Sequence, residues 1–454
     1  MTEQKFSTLN LSKEMIANLD KIGYNSMTPI QAESLPFILD KKDIIAQAKT
    51  GSGKTAAFGI GLLSNLEVKK FRVQTLVLCP TRELADQVAK ELRVIAKFAH
   101  NIKILTLVGG AAFGPQLGSL RHGAHIIVGT PGRVLKHLNK ETLNLENMNT
   151  LVLDEADRML DMGFIEEIEQ VLAFAPKERQ TLLFSATYPT EIISLSKRLQ
   201  NDAVSIKTKS IESINKITER FYESENKLQT MINIFSTFNP SNVIVFCNTK
   251  VETDEIAKKL QDQKIDALAL HGDMEQYDRN DVLVQFSNRS ARVLVATDVA
   301  ARGLDIKELA MVVNYDLPHG EETYTHRIGR TGRAGAEGLA FTIYSAWESE
   351  KINDYQNESR IFEDADKLQS KKNFDMKPDN VTLVIEGGKK DKLRAGDLLG
   401  ALTGDAGLNG SSIGKIDIYD RQAYVAIERK FIDDAQRKLS NGRIKNKKFS
   451  AWIL

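Results

Sequence analysis

Residues 44–55 read Ile44-Ile45-Ala46-Gln47-Ala48-Lys49-Thr50-Gly51-Ser52-Gly53-Lys54-Thr55. An apolar run enters a loop with two glycines, then a lysine and a hydroxyl. Gly51 and Gly53 let the backbone curl so that its N–H groups point at phosphate oxygens. Lys54 supplies a cation for the outer phosphates and Thr55 a hydroxyl for Mg²⁺. A helix starting near Lys54 adds its positive N-terminal end. A second apolar run, Thr150–Leu153, ends in Asp154-Glu155-Ala156-Asp157. Asp154 suits a metal ion held partly through water, and Glu155 suits orienting or deprotonating an attacking water. A glycine loop and an acidic strand end, each after an apolar strand, point to a nucleoside triphosphate site.

Working outward, short apolar runs alternate with helix-spaced stretches. Ile44–Gln47, Thr75–Cys79, Ile102–Val108, His125–Val128, Leu151–Leu153 and Thr181–Phe184 read as buried strands, and Glu83–Phe98 carries helical spacing. The pattern predicts an α/β domain with a parallel sheet. A second series follows Ile206, with strands at Thr218–Tyr222, Val243–Phe246, Ala267–Leu270, Val293–Ala296, Met311–Tyr315 and Leu339–Tyr344. Lys207–Asn215 reads as a hinge, and Ile352–Asn380 as helix plus linker. The last segment reads strand, helix, strand, strand, helix, strand, which suits a small sheet backed by two helices, as in RNA-recognition-motif folds. Only Tyr424 stands where that fold's aromatic RNA-stacking signature is expected.

A chain of 454 residues exceeds one ordinary core. With 42% hydrophobic and 27% charged residues it reads as soluble and globular. No apolar stretch reaches the length of a membrane span, and the start of the chain has no signal core, so no membrane role and a cytoplasmic location are expected. Two cysteines and no export signal argue against a disulfide framework, and no Cys/His cluster has zinc spacing. The net charge is +1, yet Val381–Leu454 holds 14 Lys+Arg against 9 Asp+Glu, or +5, leaving −4 for the rest. Lys389, Lys390, Lys392 and Arg394 form one basic cluster there, and Arg443, Lys445, Lys447 and Lys448 another, an electrostatic footprint for RNA.

Ala48 at the loop's first position, together with Asp-Glu-Ala-Asp, resembles the DEAD-box RNA helicases. Further motifs of that family stand in order: Gly23-Tyr24 through Thr28-Pro29-Ile30-Gln31, Pro80-Thr81-Arg82-Glu83-Leu84-Ala85, Gly109-Gly110, Thr130-Pro131-Gly132-Arg133 and Ser185-Ala186-Thr187. Gln276-Tyr277-Asp278-Arg279, Ala296-Thr297-Asp298, Ala301-Arg302-Gly303-Leu304-Asp305 and His326-Arg327-Ile328-Gly329-Arg330-Thr331-Gly332-Arg333 complete the set. Gly387-Gly388-Lys389-Lys390 through Gly404, with Gly414-Lys415-Ile416-Asp417, resembles the C-terminal domain of the DbpA group within that family.

The resemblance implies two tandem RecA-like domains and a small α+β RRM-like domain. The expected division is 1–207, a linker at 208–215, 216–362, a linker at 363–379, and an RNA-binding domain at 380–454. ATP is the implied substrate, with Mg²⁺. Its site is Phe6 (stacking on the base), Gln31 (reading adenine, since its amide both donates and accepts), Ala48, Lys49, Thr50, Gly51, Ser52, Gly53, Lys54, Thr55 and Asp305. Mg²⁺ falls to Thr55 and Asp154. Catalysis falls to Glu155, Lys54 and the arginine fingers Arg330 and Arg333, which three-residue spacing places on one helical face. RNA contacts fall to Arg82, Gly110, Thr130, Arg133, Gly272, Arg279 and Thr297, joined by Lys389, Lys390, Arg394, Lys445 and Lys447. Ser185, Thr187 and His326 are implied couplers between the two ligands. The whole implies a monomeric, ATP-dependent RNA helicase acting on large-subunit ribosomal RNA in its precursor particle. An ATP-timed RNA clamp with little unwinding is the alternative, and a DNA helicase of the same superfamily a more distant one.

Overall fold

The structure is a computed structural model and describes residues 4–48, 51–207, 217–301, 309–332, 337–357, 359–368, 374–405 and 407–454. Lys49, Thr50, Asp305 and Arg333, and nearly all of the expected hinge, lie outside them. The chain divides into two compact units, one holding the first sheet and the other the second and third.

The first sheet is built from β1 (Ile44–Gln47), β2 (Thr75–Leu78), β3 (Ile104–Leu107), β4 (Ile126–Gly129), β5 (Thr150–Asp154), β6 (Gln180–Ser185) and β7 (Val204–Lys207). All pairings are parallel, in the order β3-β4-β2-β5-β6-β1-β7. β2, β4, β5 and β6 are buried at every position. Continuous apolar runs are what a sheet covered on both faces requires, and the two faces carry separate cores, one around Phe58 and Phe184, the other around Met159 and Leu183.

The second sheet repeats the first. Its strands are β8 (Ile217–Glu223), β9 (Val243–Cys247), β10 (Ala267–Leu270), β11 (Val293–Thr297), β12 (Met311–Asn314), β13 (Gly338–Tyr344) and β14 (Arg360–Asp364), all parallel, in the order β10-β11-β9-β12-β13-β8-β14. Each strand occupies the place of the strand seven earlier. Cys79 and Cys247 follow or end equivalent strands, β2 and β9, and both are fully buried, as small core residues.

The third sheet is antiparallel, β16-β17-β15-β18, from β15 (Asn380–Ile385), β16 (Ile413–Ile418), β17 (Ala423–Glu428) and β18 (Ala451–Ile453). Helices Ala395–Gly400 and Ile432–Asn441 pack on one face through Leu398, Ala435 and Leu439. The strand and helix order is the one read from the sequence.

Three differences from the sequence reading have physical causes. β7 and β14 went unread because each is a sheet edge, half in water, with polar residues interspersed. In the expected linker 363–379, the described residues are partly packed: it begins within β14, and Met376 is 1% exposed in the second sheet's core. Arg330 lies beyond the helix Glu321–Ile328, in a turn next to Thr331, which bridges to Leu309, so helical spacing does not relate it to its neighbours.

Candidate functional site

In an open parallel sheet, ligands sit at the carboxyl ends of the strands. On the first sheet that edge carries two groups of residues side by side.

One group follows β1, β5 and β6. Ala48 is buried, and Gly51 (φ 82°) and Gly53 (φ 92°) take left-handed conformations before the helix Lys54–Ser64. A Cβ on Gly53 would stand 2.5 Å from Gln31 Nε2. That nitrogen donates to the Gly53 carbonyl at 3.2 Å, and Gln31 Oε1 accepts from the Thr28 N–H at 2.9 Å. Gln31 thus joins its own helix cap to the phosphate loop, with one amide hydrogen and one lone pair to spare. Phe6 is 4% exposed and belongs to the same buried cluster as Met15, Leu19 and Ile30.

Asp154 and Glu155 end β5 at 3% and 4% exposure. Burial pushes the Asp154 carboxyl up to about 7, with Lys54 opposing and Glu155 adding to the rise. Glu155 has φ 54° and ψ 53°, a left-handed backbone that costs a non-glycine residue about 1–3 kcal/mol and that clusters at working sites. Among the described residues, Lys54 Nζ, Ser52 Oγ and Asp154 Oδ1 are buried with no hydrogen-bond partner. Buried polar atoms are almost always paired, and a cation, a hydroxyl and a carboxylate left so beside a glycine loop are the groups that ATP with a divalent cation satisfies. The residues present therefore fit that ligand.

The second group follows β2, β3 and β4. Thr81 caps the helix Arg82–Ile95 by accepting from the Leu84 N–H at 3.2 Å. Arg82 lies over Gly109, where an added Cβ would stand 3.2 Å from its guanidinium. Gly110 is exposed at φ 72°. Thr130 precedes the helix Pro131–Asn139, and Arg133 Nη1 donates to the Ala111 carbonyl at 3.0 Å and to Gln116 Oε1 at 2.8 Å. Burial and then nearby Arg82 lower the Arg133 guanidinium. Two arginines, a glycine pair and a helix N-terminus so gathered form a seat for a sugar-phosphate chain.

Asp157, a residue to which the sequence reading gave no role, ties the ends of β5 and β6 together within the first group. Its Oδ2 accepts from the N–H of Ala186 and Thr187 at 3.0 and 2.9 Å and from Thr187 Oγ1 at 3.1 Å, while its own N–H donates to Ser185 Oγ at 3.2 Å. Ser185 and Thr187 are thereby locked to the acidic strand end.

On the second sheet, Gly272 follows β10, Thr297 ends β11, and Arg279 Nη1 donates to the His271 carbonyl at 3.1 Å. His326 is partly exposed on its helix and Arg330 is buried. The hub of this motif is Arg327, which the sequence reading passed over. At 1% exposure it donates to both Asp298 oxygens at 2.7 Å, to Asn248 Oδ1 at 2.8 Å and to the Asp316 carbonyl at 2.8 Å, tying β9, β11 and β12 at their carboxyl ends.

The third sheet offers its second face to the second domain. Val384, Tyr424, Trp452 and Leu454 pack with Val284 of the helix Gln276–Ser287. Tyr424 donates to Asp281 Oδ1 at 2.8 Å, Asn288 to Thr382 at 2.9 Å, and Gln422 to Tyr277 at 2.9 Å. The one aromatic residue singled out for sheet-face stacking is thus spent on an internal contact. Lys389, Lys390, Arg394, Lys445 and Lys447 are exposed elsewhere on this domain. Lys445 pairs with Asp397 at 2.7 Å and donates to the Lys392 carbonyl at 2.9 Å, so the two basic clusters meet.

Comparison with known proteins agrees with this geometry. Residues 28–195 match the DEAD/DEAH box helicase family, 226–335 the helicase conserved C-terminal domain, and 382–453 the DbpA RNA binding domain. The chain is similar to the ATP-dependent RNA helicase DbpA of Escherichia coli, 51% identical over 97% of this chain and 98% of that one. It is 38% identical to the protein of the same name from Bacillus subtilis over 93% of each. Among solved structures it resembles S. cerevisiae Dbp5 bound to RNA and ADP BeF3 (TM-score 0.71, 29% identity, 80% of this chain and 96% of that one). Mss116p bound to ssRNA and AMP-PNP is similar at TM-score 0.71 and 27% identity, over 80% of each chain. Among the described residues no helix is long and apolar enough to cross a membrane. The chain belongs to the DEAD-box ATP-dependent RNA helicases, and within them to those that carry a DbpA RNA-binding domain.

Proposed function

We propose that this enzyme locally unwinds RNA duplexes while its C-terminal domain holds a hairpin of large-subunit (23S) ribosomal RNA, and that it acts in assembly of the large ribosomal subunit as a cytoplasmic monomer. The observation that supports the helicase part is the carboxyl edge of the first sheet, which the ATP group and the RNA group share side by side. Ligands that favour one arrangement of such an edge favour each other's binding.

In this reading Lys54 and the loop from Ala48 to Thr55 hold the phosphates, and Gln31 and Phe6 the adenine side, with Asp305 toward the ribose. Thr55 and Asp154 hold Mg²⁺, which supplies charge neutralisation at the phosphates. Glu155 orients the attacking water and accepts its proton, and Arg330 and Arg333 supply positive charge as the γ-phosphate departs. Ser185, Thr187 and His326 relay between ligands. Arg82, Gly110, Thr130, Arg133, Gly272, Arg279 and Thr297 hold the RNA backbone without reading its sequence. Lys389, Lys390, Arg394 and Lys447 hold the ribosomal hairpin, with Lys445 also bracing their loop.

Support for a docking module is the +5 charge of the last domain and its exposed lysines. Its attachment to the helix that bears Arg279 supports it too: a bound hairpin is then presented beside that second-domain RNA contact. The test is ATPase activation by ribosomal RNA fragments against length-matched random RNA, with and without Pro378–Leu454. Preference for ribosomal RNA in the intact protein alone is expected, because tethering raises effective concentration. Equal preference in both removes the docking role.

A further inference from the structure

Asp154 and Glu155 are two adjacent carboxylates in a nearly dry place. Buried charges need partners. Lys54 is the cation acting on Asp154, and the reading above assigns it to phosphate. Glu155 has a different partner, Arg158, one helical turn onward in the helix Ala156–Asp161. Arg158 Nη1 lies 2.8 Å from Glu155 Oε2, and the two side chains are 3% and 5% exposed. Neither the motif reading nor the RNA seat uses this arginine.

The alignment of the pair is informative. The two atoms are at ion-pair distance, yet neither makes an aligned hydrogen bond among the described residues. The guanidinium therefore holds the carboxylate chiefly by charge, at 2.8 Å. The left-handed backbone of Glu155 fixes where its side chain starts, and the guanidinium fixes where it ends. The next residue along, Asp157, is committed to Ala186 and Thr187, so the short helix anchors the acidic strand end from two sides.

We propose that Arg158 is the positioning residue for Glu155, holding its carboxylate at the point from which it meets the attacking water. This rests on the assignment of Glu155 to that water, and it predicts an effect on turnover without an effect on nucleotide binding.

The experiment is a double-mutant cycle on the full chain, read by RNA-stimulated single-turnover ATP hydrolysis and by the affinity of a fluorescent ATP analogue. Arg158→Gln is expected to slow hydrolysis by about tenfold to a hundredfold, within the range of general-base effects, with affinity changed less than about threefold. Arg158→Lys keeps the charge but not the fork and is expected to recover part of the rate; it also serves if Arg158→Gln does not fold. In a Glu155→Gln background either Arg158 change is expected to cost less than about twofold more, because residues acting as one unit are non-additive. A general structural role would instead multiply the two losses and lower nucleotide affinity, and either result overturns the proposal. Wild-type hydrolysis by Arg158→Gln beside an inactive Glu155→Gln overturns the positioning role alone. Wild-type hydrolysis by Glu155→Gln overturns both assignments.

Discussion

Tyr424→Phe isolates one hydrogen bond in the seam between the RNA-binding domain and the second helicase domain. The ring keeps its packing against Val284 and Val384, so the apolar contribution is unchanged. What is lost is the phenol O–H, which lies 2.8 Å from Asp281 Oδ1 across the seam, between residues 3% and 8% exposed, and 3.0 Å from Gln422 Oε1 on its own strand end. A hydrogen bond to a charged group is worth about 1.5–3 kcal/mol. For a unit of this size that is a fall in Tm of about 3–12 °C. The effect has a pH signature. Burial raises the Asp281 carboxyl, and the Tyr424 bond partly offsets the rise. A raised carboxyl makes the ionised form a burden on the fold, and the burden appears as pH climbs from the ordinary carboxylate range through the raised value. Removing the offset enlarges it. Below that range the carboxyl is protonated folded or unfolded, and only a neutral hydrogen bond is lost. Thermal unfolding of the two proteins at pH 7.5 and in mild acid, with hydrogen exchange over Gln276–Ser287, measures this. The reasoning predicts a gap that narrows on acidification and faster exchange in the variant. Equal Tm values at pH 7.5, or a gap that widens in acid, refute it.

Lys54→Ala should weaken ATP binding itself, since a phosphate counter-charge is lost before any chemistry; unchanged nucleotide affinity by equilibrium titration contradicts the phosphate-loop assignment. Thr187→Val removes one of the three bonds into Asp157 Oδ2 and should cost about 1–2 kcal/mol of coupling between ATP and RNA, seen as a five- to thirtyfold smaller effect of RNA on ATP affinity, with each ligand alone binding nearly as before. Asp298→Ala leaves Arg327 buried without its carboxylate and should destabilise the protein by about 3 kcal/mol, the low end for a broken buried pair because Asp298 keeps some water; denaturant titration checks it.

Much of the fold was written in the apolar runs. Strands such as Val243–Cys247 are buried on both faces, so every residue is apolar and the run stands out. Edge strands β7 and β14 face water on one side and lose that signal. Within the site, the glycines and the lysine of the phosphate loop were legible because backbone chemistry dictates them. Asp157, Arg158 and Arg327 were not, although all three lie inside motifs that the sequence displays. Asp157 and Arg327 take their roles from partners distant in sequence, Thr187 and Asp298; Arg158 pairs only three residues back, with Glu155, but residue type alone does not name a partner. Tyr424 was singled out as an aromatic on the sheet, but only the packing on Val284 shows what it faces. The spacing of Arg330 suggested a helical face because a continuing helix was assumed, and the turn after Ile328 removes that basis.

The central claim is that ATP-driven strand separation is directed by a docked ribosomal RNA hairpin. The most direct measurement is release of a labelled strand from a short RNA duplex joined to the large-subunit hairpin, compared with the same duplex joined to an unrelated hairpin, with ATP and with a non-hydrolysable analogue. The account predicts catalytic release with ATP from the first substrate, and little from the second at the same concentration. Equal release from both substrates, or no release from either despite ATP turnover, contradicts it.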